Sequence, residues 1–244
     1  MKAFILAAGL GTRLKPWTNS HPKALVPVGN VPMLRRVIEF LKGEGIKEIV
    51  INVHHFADQI YEYVGENFPE AKISDETEEL LETGGGLLKA GELLCDEGVE
   101  PILIHNVDIL SNADIKGLYD FHIHTGADVS MLISSRDSTR KLVFDKDMNL
   151  IGWHSLSTEE YRPEGFTINP DQDYCEYAFS GIYIVNQDVI RYMKEEGWGG
   201  KFGIMDFFLS SLGKLKIAGY LQSDLELTDI GKPDSLNRAQ KMFE

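Results

Sequence analysis

The apolar positions fall into a repeating alternation that starts at the first residues. Lys2-Ala-Phe-Ile-Leu-Ala-Ala8 is a short apolar run closed by Gly9, which predicts a strand buried on both faces of a parallel sheet. Pro32 suits the first turn of a helix running to about residue 42, with Leu34, Val37, Ile38 and Leu41 on one stripe and Gly43 and Gly45 beyond it. Residues 48–53 form a second predicted strand, and Ile60, Tyr63, Val64 and Phe68 give 56–67 helical spacing up to Pro69. The alternation continues through a strand at 71–74, a helix from about 85 to 94 and a strand at 101–108. A helix capped by Ser111, with Asp114 three residues on, and a strand at 128–134 follow. Four or five strand–helix units in series predict an α/β fold: a mostly parallel sheet flanked by helices and joined by right-handed crossovers.

After residue 140 the pattern changes. Leu142 to Asp145 and Leu150 to Trp153 flank Asp145-Lys-Asp-Met-Asn149, a turn that suits a hairpin. Residues 155–174 are polar and read as a long loop or small subdomain, and 177–185 return to strand. Helices near 187–196, 204–211 and 233–243 then surround strands at 215–220 and 225–229.

Composition narrows the classes. With 244 residues, 43% apolar and 25% charged, the chain is an ordinary globular mixture and reads as a single domain. No apolar run approaches the roughly 20 residues that span a bilayer, and the first one lacks a cleavage site and is too short for a signal core. Cys95 and Cys175 are too few for a disulfide scaffold, so a reducing cytoplasm is the simplest compartment. The formal charge of −14 argues against nucleic acid and anionic membrane as partners. That charge is uneven: residues 1–38 carry Lys2, Arg13, Lys15, Lys23, Arg35 and Arg36 and no acid.

Three of these cations sit in or near the first strand-to-helix loop, Ala8-Gly-Leu-Gly-Thr-Arg-Leu-Lys-Pro-Trp-Thr18, and its continuation Pro22-Lys23-Ala-Leu-Val-Pro27. Ligands of open parallel sheets bind at the carboxyl ends of strands. Gly9 and Gly11 let the backbone approach an anion, and Thr12, Arg13, Lys15 and Lys23 add a hydroxyl and positive charge. The loop departs from the dinucleotide fingerprint at Leu14 and from the P-loop in lacking Gly-Lys-Ser/Thr.

The whole stretch, Gly9-x-Gly-Thr-Arg-Leu-x-Pro-x-Thr-x-x-x-Pro-Lys-Ala-Leu-Val-Pro-Val28, resembles the signature of the sugar-phosphate nucleotidyltransferases. The resemblance implies a Rossmann-like fold of the nucleotide-diphospho-sugar transferase type, with 1–134 as the nucleotide-binding part and 135–244 as the sugar-binding part. It implies that Ala8, Gly9, Gly11 and Thr12 wrap a nucleoside triphosphate, with Arg13 and Lys23 on its phosphates. Asp108, in Asn106-Val107-Asp108, and Asp229, in Leu227-Thr-Asp-Ile-Gly231, match the family's Mg²⁺ aspartates. Arg13, Lys23 and Asp108 are thereby the expected catalytic residues, and Asn106 an expected nucleotide contact. Val107 stands where the family usually has glycine.

Glu79-Leu-Leu-Glu-Thr-Gly-Gly-Gly86 matches the base-reading segment, with Glu79 and Gly84 as the contacts. Its Leu-Glu-Thr-Gly-Gly-Gly form is most similar to the N-acetylmuramate 1-phosphate uridylyltransferases of cell-wall recycling. Tyr177-Ala-Phe-Ser-Gly-Ile182 resembles a later motif and puts Ser180 and Gly181 at the sugar substrate. Larger relatives carry Glu-Glu-Lys-Pro after the hairpin, whereas this chain has Ile151-Gly-Trp-His-Ser155. Trp153 as a stacking platform and His154 as a phosphate contact are the expected replacements, with Arg136, Arg140 and Lys201 as other sources of charge. His54 and His55 face opposite ways on a strand, as His122 and His124 diverge on a helix, so these are read as surface or capping residues rather than a zinc site.

The expected reaction joins a nucleoside triphosphate to a sugar 1-phosphate with loss of pyrophosphate, UTP and N-acetylmuramate 1-phosphate first. Mannose or heptose 1-phosphate guanylylation, phosphocholine cytidylylation and a non-catalytic nucleotide-sugar-binding relative are the alternatives. The expected assembly is a monomer or homodimer.

Overall fold

In the computed structural model, residues 1–168, 173–231 and 233–241 are described. The first half runs β1 (Lys2–Leu6), β2 (Pro27–Val28), β3 (Val31–Pro32), α1 (Met33–Gly43), β4 (Ile49–Val53), α2 (Ala57–Asn67), β5 (Lys72–Asp75) and α3 (Glu82–Leu94). It continues with β6 (Ile102–Asn106), β7 (Ile109–Ser111), α4 (Ile115–Thr125) and β8 (Val129–Ser134). The second half holds β9 (Arg140–Asp145), β10 (Leu150–Ser155), β11 (Glu160–Arg162), β12 (Tyr174–Val185), α5 (Gln187–Glu195), α6 (Ile204–Ser210), β13 (Ile217–Leu221), β14 (Leu227–Asp229) and α7 (Pro233–Lys241).

β5, β4, β1 and β6 are parallel neighbours, and β8 and β13 are parallel to each other. β12 lies between β6 and β8 and is antiparallel to both, so β8 and β13 run in the same sense as β1. The central sheet is therefore mostly parallel, with one reversed strand inside it. β12 is twelve residues long, and its first half pairs with β9, extending the sheet into the β9–β10–β11 meander.

Alternate residues of the buried strands feed two cores. Ala3 and Ile5 pack with α1, α2 and α4 on one face, while Phe4 packs with α3, α5 and α6 on the other. The predicted α1 stripe is buried as a unit: Leu34, Val37, Ile38 and Leu41, with Met33 added. No helix among the described residues is long and apolar enough to cross a membrane.

Several boundaries move for identifiable reasons. The strand expected at 101–108 stops at Asn106, because Val107 and Asp108 turn the chain into β7. Ser111 is in β7 and caps nothing; Asp114 is the cap of α4, accepting the Gly117 amide at 2.7 Å. α3 begins at Glu82 rather than at Gly85, so the three glycines lie inside the helix. The polar stretch 155–174 contains β11 and leads into β12, and residues 169–172 of it lie outside the described residues, as do 242 and 243 of the expected last helix. His122 is buried rather than superficial, bonded to Ser130 Oγ (2.9 Å) and Asn186 Oδ1 (3.0 Å), and burial lowers its pKa.

Candidate active site

A cavity of about 380 Å³ opens where β1, β4 and β6 end. Ala8, Gly9 and Lys23 line it from the loop after β1 and its continuation, Leu80, Glu82 and Thr83 from the start of α3, and Asn52, Asn106, Val107 and Asp108 from β4, the end of β6 and the turn beyond. This is the carboxyl edge of the parallel strands, where loops meet helix starts.

The loop after β1 is shaped by Gly11. At φ +62° it turns the chain into the short helix of residues 12–14, and a Cβ there would stand 2.9 Å from Lys23 Cβ and 2.8 Å from Thr18 Cγ2. Leu14 and Thr18 both bond back to the Gly11 carbonyl, at 2.8 and 2.9 Å. That closeness is what brings the Lys23 segment, itself a short turn after Pro22, against the first loop. Thr12 and Arg13 are exposed.

Lys23 Nζ pairs with Asp108 Oδ2, and both side chains are largely shielded. The β7–β14 ribbon then carries Asp229 to the same place: Asp229 pairs with Ile109, and the Ile230 amide bonds the Asp108 carbonyl at 2.9 Å. A point one bond off Gly231, where a Cβ would be, lies 2.7 Å from Arg13 Nη2, 2.7 Å from Asp229 Oδ1 and 3.3 Å from Asp108 Oδ2. Two carboxylates and two cations far apart in sequence thus converge at the cavity mouth. Asp229 Oδ1 accepts the Gly231 amide at 2.7 Å and Asp108 Oδ2 is paired with Lys23, and two such carboxylates suit a hard divalent cation that takes its other ligands from phosphate and water. Among the described residues no group of three or more His, Cys, Asp or Glu forms a metal cage.

Not every other expected contact lines the cavity with a free group. The Ala8 amide is already held by Asn52 Oδ1 at 3.1 Å, so its wall contribution is not a free N–H. Glu79 is exposed and outside the cavity lining. Gly84 is buried against Phe202, whose carbonyl accepts the Gly84 amide at 2.9 Å, and Glu82 and Thr83 take the cavity wall instead. Ser180 is buried and donates to the Leu132 carbonyl at 2.6 Å across a bulge in β12. Gly181, at φ +79°, packs where a Cβ would meet Asn106 Nδ2 at 2.7 Å, so it shapes the floor from behind. Trp153 packs on the core, while His154 stacks on Tyr161 and bonds Glu176 Oε1 at 3.0 Å; neither lines the cavity. Arg136 donates to the Phe179 carbonyl at 2.8 Å, one residue before Ser180, and Lys201 pairs with Glu82 at 3.5 Å.

Asn52 escaped the sequence reading. Its signal was present: an amide in the middle of the apolar run Ile49-Val-Ile-Asn-Val53, where only a hydrogen-bonded polar group is tolerated. Glu76 carried a weaker signal, as the acid just beyond the next strand.

The sequence matches the Nucleotidyl transferase family over residues 2–244. It is 33% identical to mannose-1-phosphate guanylyltransferase 1 of Arabidopsis thaliana over 78% of this chain and 51% of the relative, spanning about half that protein's length. It is 29% identical to the D-glycero-alpha-D-manno-heptose 1-phosphate guanylyltransferase of Aneurinibacillus thermoaerophilus, covering 100% of this chain and 99% of the relative. Identity to the N-acetylmuramate alpha-1-phosphate uridylyltransferase of Caulobacter vibrioides is 26%, over 96% and 93% of the two chains. The fold is that of HddC from Yersinia pseudotuberculosis, solved with GMP-PN, at a TM-score of 0.75 and 24% identity over 100% and 99% of the two chains.

Proposed function

The chain belongs to the nucleotidyl transferase family, and from that premise we propose that it joins a nucleoside triphosphate to a sugar 1-phosphate with release of pyrophosphate. One observation carries the reading: Arg13, Lys23, Asp108 and Asp229 meet at the mouth of a cavity built on the ends of parallel strands.

A phosphate oxygen of the sugar 1-phosphate attacks the α-phosphorus. The bond to the bridging oxygen of the β-phosphate breaks, and pyrophosphate leaves with the electron pair. Such a step needs positioning and charge neutralisation more than covalent help from the protein. Gly9 and the backbone beyond it face the triphosphate, and Arg13 and Lys23 neutralise the departing pyrophosphate. Lys23 exchanges its Asp108 partner for phosphate oxygens when substrate arrives. Asp108 and Asp229 would hold Mg²⁺, which would supply positive charge against the negative charge of the phosphates. Asn106, packed against Gly181, lines the cavity and is available to either substrate.

UTP with N-acetylmuramate 1-phosphate is the substrate pair favoured by the Leu81-Glu-Thr-Gly-Gly-Gly86 segment. Guanylylation of mannose or heptose 1-phosphate is the second reading, favoured by the higher identity to guanylyltransferases. Pyrophosphate release with the four nucleoside triphosphates crossed against these sugar 1-phosphates decides between them. Turnover should require Mg²⁺, stop on chelation with EDTA and return when Mg²⁺ is restored. Turnover that persists in chelator refutes the metal role of the aspartates, and release with no sugar phosphate in the panel refutes the substrate class.

A further inference from the structure

Two buried side chains, Asn52 of the cavity lining and Glu76 behind it, tie its sides together. Asn52 is 1% exposed, and its Oδ1 accepts the amides of Ala7 (2.6 Å) and Ala8 (3.1 Å), the last residues before the glycine loop. Its Nδ2 donates to Glu76 Oε1 at 2.7 Å. Glu76 is fully buried, and its second oxygen accepts the Leu81 amide at 3.2 Å, at the threshold of α3. Gly86 of α3 lies so close that a Cβ would stand 2.7 Å from Glu76 Oε1 and 3.0 Å from Asn52 Nδ2. Ala8, one of the bonded residues, and Leu80, next to the bonded Leu81, both line the cavity.

We propose that Asn52 and Glu76 are positioning residues that set the spacing between the triphosphate-binding loop and the opposite wall, and so govern affinity for the nucleoside triphosphate; the functional part of this inference rests on the nucleotidyltransferase reading above. The chemistry permits one arrangement. With the Asn52 amide reversed, its NH₂ would face two N–H donors and its oxygen would face a carboxyl oxygen, so all three of its own bonds would fail. An acid in this place has little else to do: nothing apolar could accept both an amide NH₂ and the Leu81 N–H. Burial raises the pKa of Glu76, and the hydrogen bonds from Asn52 and the Leu81 amide oppose the rise. The brace also explains why ligand-facing amides begin at Gly9, since those of Ala7 and Ala8 are consumed behind the wall.

The arrangement supplies its own test, because acceptor and donor can be exchanged. Asn52→Asp sets two carboxyl groups against each other, and Glu76→Gln points a donor at the Leu81 amide. Combined, the two changes restore every bond: the new carboxylate at 52 accepts the Ala7 and Ala8 amides and the new NH₂ at 76, whose oxygen accepts Leu81. Each single variant should raise KM for the nucleoside triphosphate about tenfold, the equivalent of one lost hydrogen bond, while KM for the sugar 1-phosphate stays within about twofold. The double variant should return both KM values to within about threefold of the parent. Amide hydrogen exchange at Ala7, Ala8 and Leu81 is read on the same proteins without ligand, and should quicken in the singles and slow again in the double. If exchange is unchanged in the singles, or the double is no better than the worse single, the brace is refuted whatever the enzyme does. If exchange responds but nucleotide KM does not, the positioning role falls while the nucleotidyltransferase reading stands.

Discussion

At the residue scale the cations of the acid-free leading segment divide by partner. Lys2 pairs with Asp96 at 2.8 Å, Arg35 with Glu39 at 2.8 Å, and Arg36 donates to the Val28 carbonyl at 2.6 Å, so these three are absorbed by the fold. Arg13 and Lys23 converge instead on the aspartates, where a triphosphate would need them. Removing a donor aimed at charge that develops in a transition state typically costs about 10²–10³ in rate. Lys23→Met should therefore lower turnover at least about 100-fold, while its far-UV circular dichroism and melting profile remain those of a folded protein. Near-normal pyrophosphate release by that variant would sink the role assigned to Lys23. These cations were legible in the sequence because the motif carries them. Asn52 and Glu76 were not, because their meaning lies in each other, 24 positions apart, and in Ala7 and Ala8, 45 and 44 positions from Asn52.

At the element scale the opposite wall of the cavity depends on how closely α3 meets the segment from Trp198 to Gly203. The Gly84 and Gly85 amides both bond the Phe202 carbonyl, and Phe202 in turn bonds Leu81. A Cβ on Gly85 would stand 2.1 Å from the Gly200 carbonyl oxygen, a backbone atom that cannot swing aside as a side chain would. Gly85→Ala should thus cost about 2–3 kcal/mol and push the 198–203 segment outward. Chemical denaturation measures the first effect, and protease sensitivity around Lys201 the second. Wild-type stability in this variant would mean the segment yields freely. Gly84, expected from the resemblance as a base contact, packs on Phe202 here, because the sequence offers no view of what crosses the helix. The alternating strands and α1 were legible from periodicity alone. The reversal of β12 inside the sheet was not, since a strand buried on both faces has the same apolar run in either direction.

At the scale of the whole molecule, burial of titratable groups sets the response to acid. His105 on β6 is 1% exposed, and burial lowers its pKa from 6.5 to about 4, against a smaller opposing effect of its bond to the Asn106 carbonyl. Above pH 6.5 it is neutral folded or unfolded and contributes no slope. As pH falls from 6.5 to about 4 the unfolded chain takes a proton that the folded one refuses, so stability is lost across that window, by roughly 3 kcal/mol in total. Glu76 acts in the opposite sense: its raised pKa favours the neutral acid in the fold, so its contribution is lost as pH rises through the folded value. Denaturant titrations at a series of pH values should therefore show a slope between pH 6.5 and 4 that flattens in His105→Gln. An unchanged slope would assign the acid response to other groups.

The sequence by itself determined the family, the alternation of strands and helices and the identity of the charged groups, because each is written in contiguous residues or in a short spaced motif. Tertiary structure decided what those groups face. Asp108 and Asp229 are 121 positions apart and meet only because β7 and β14 pair. Trp153 and His154, standing where larger relatives carry the sugar motif, are turned to the core and to Glu176. The cavity's second wall and its brace come from Leu80, Thr83, Asn52 and Glu76, brought together by parallel pairing of β1, β4 and β5. A local pattern specifies which face of an element is buried; only the packing of elements specifies which buried polar atom finds which partner, because that depends on register across strands the sequence leaves far apart.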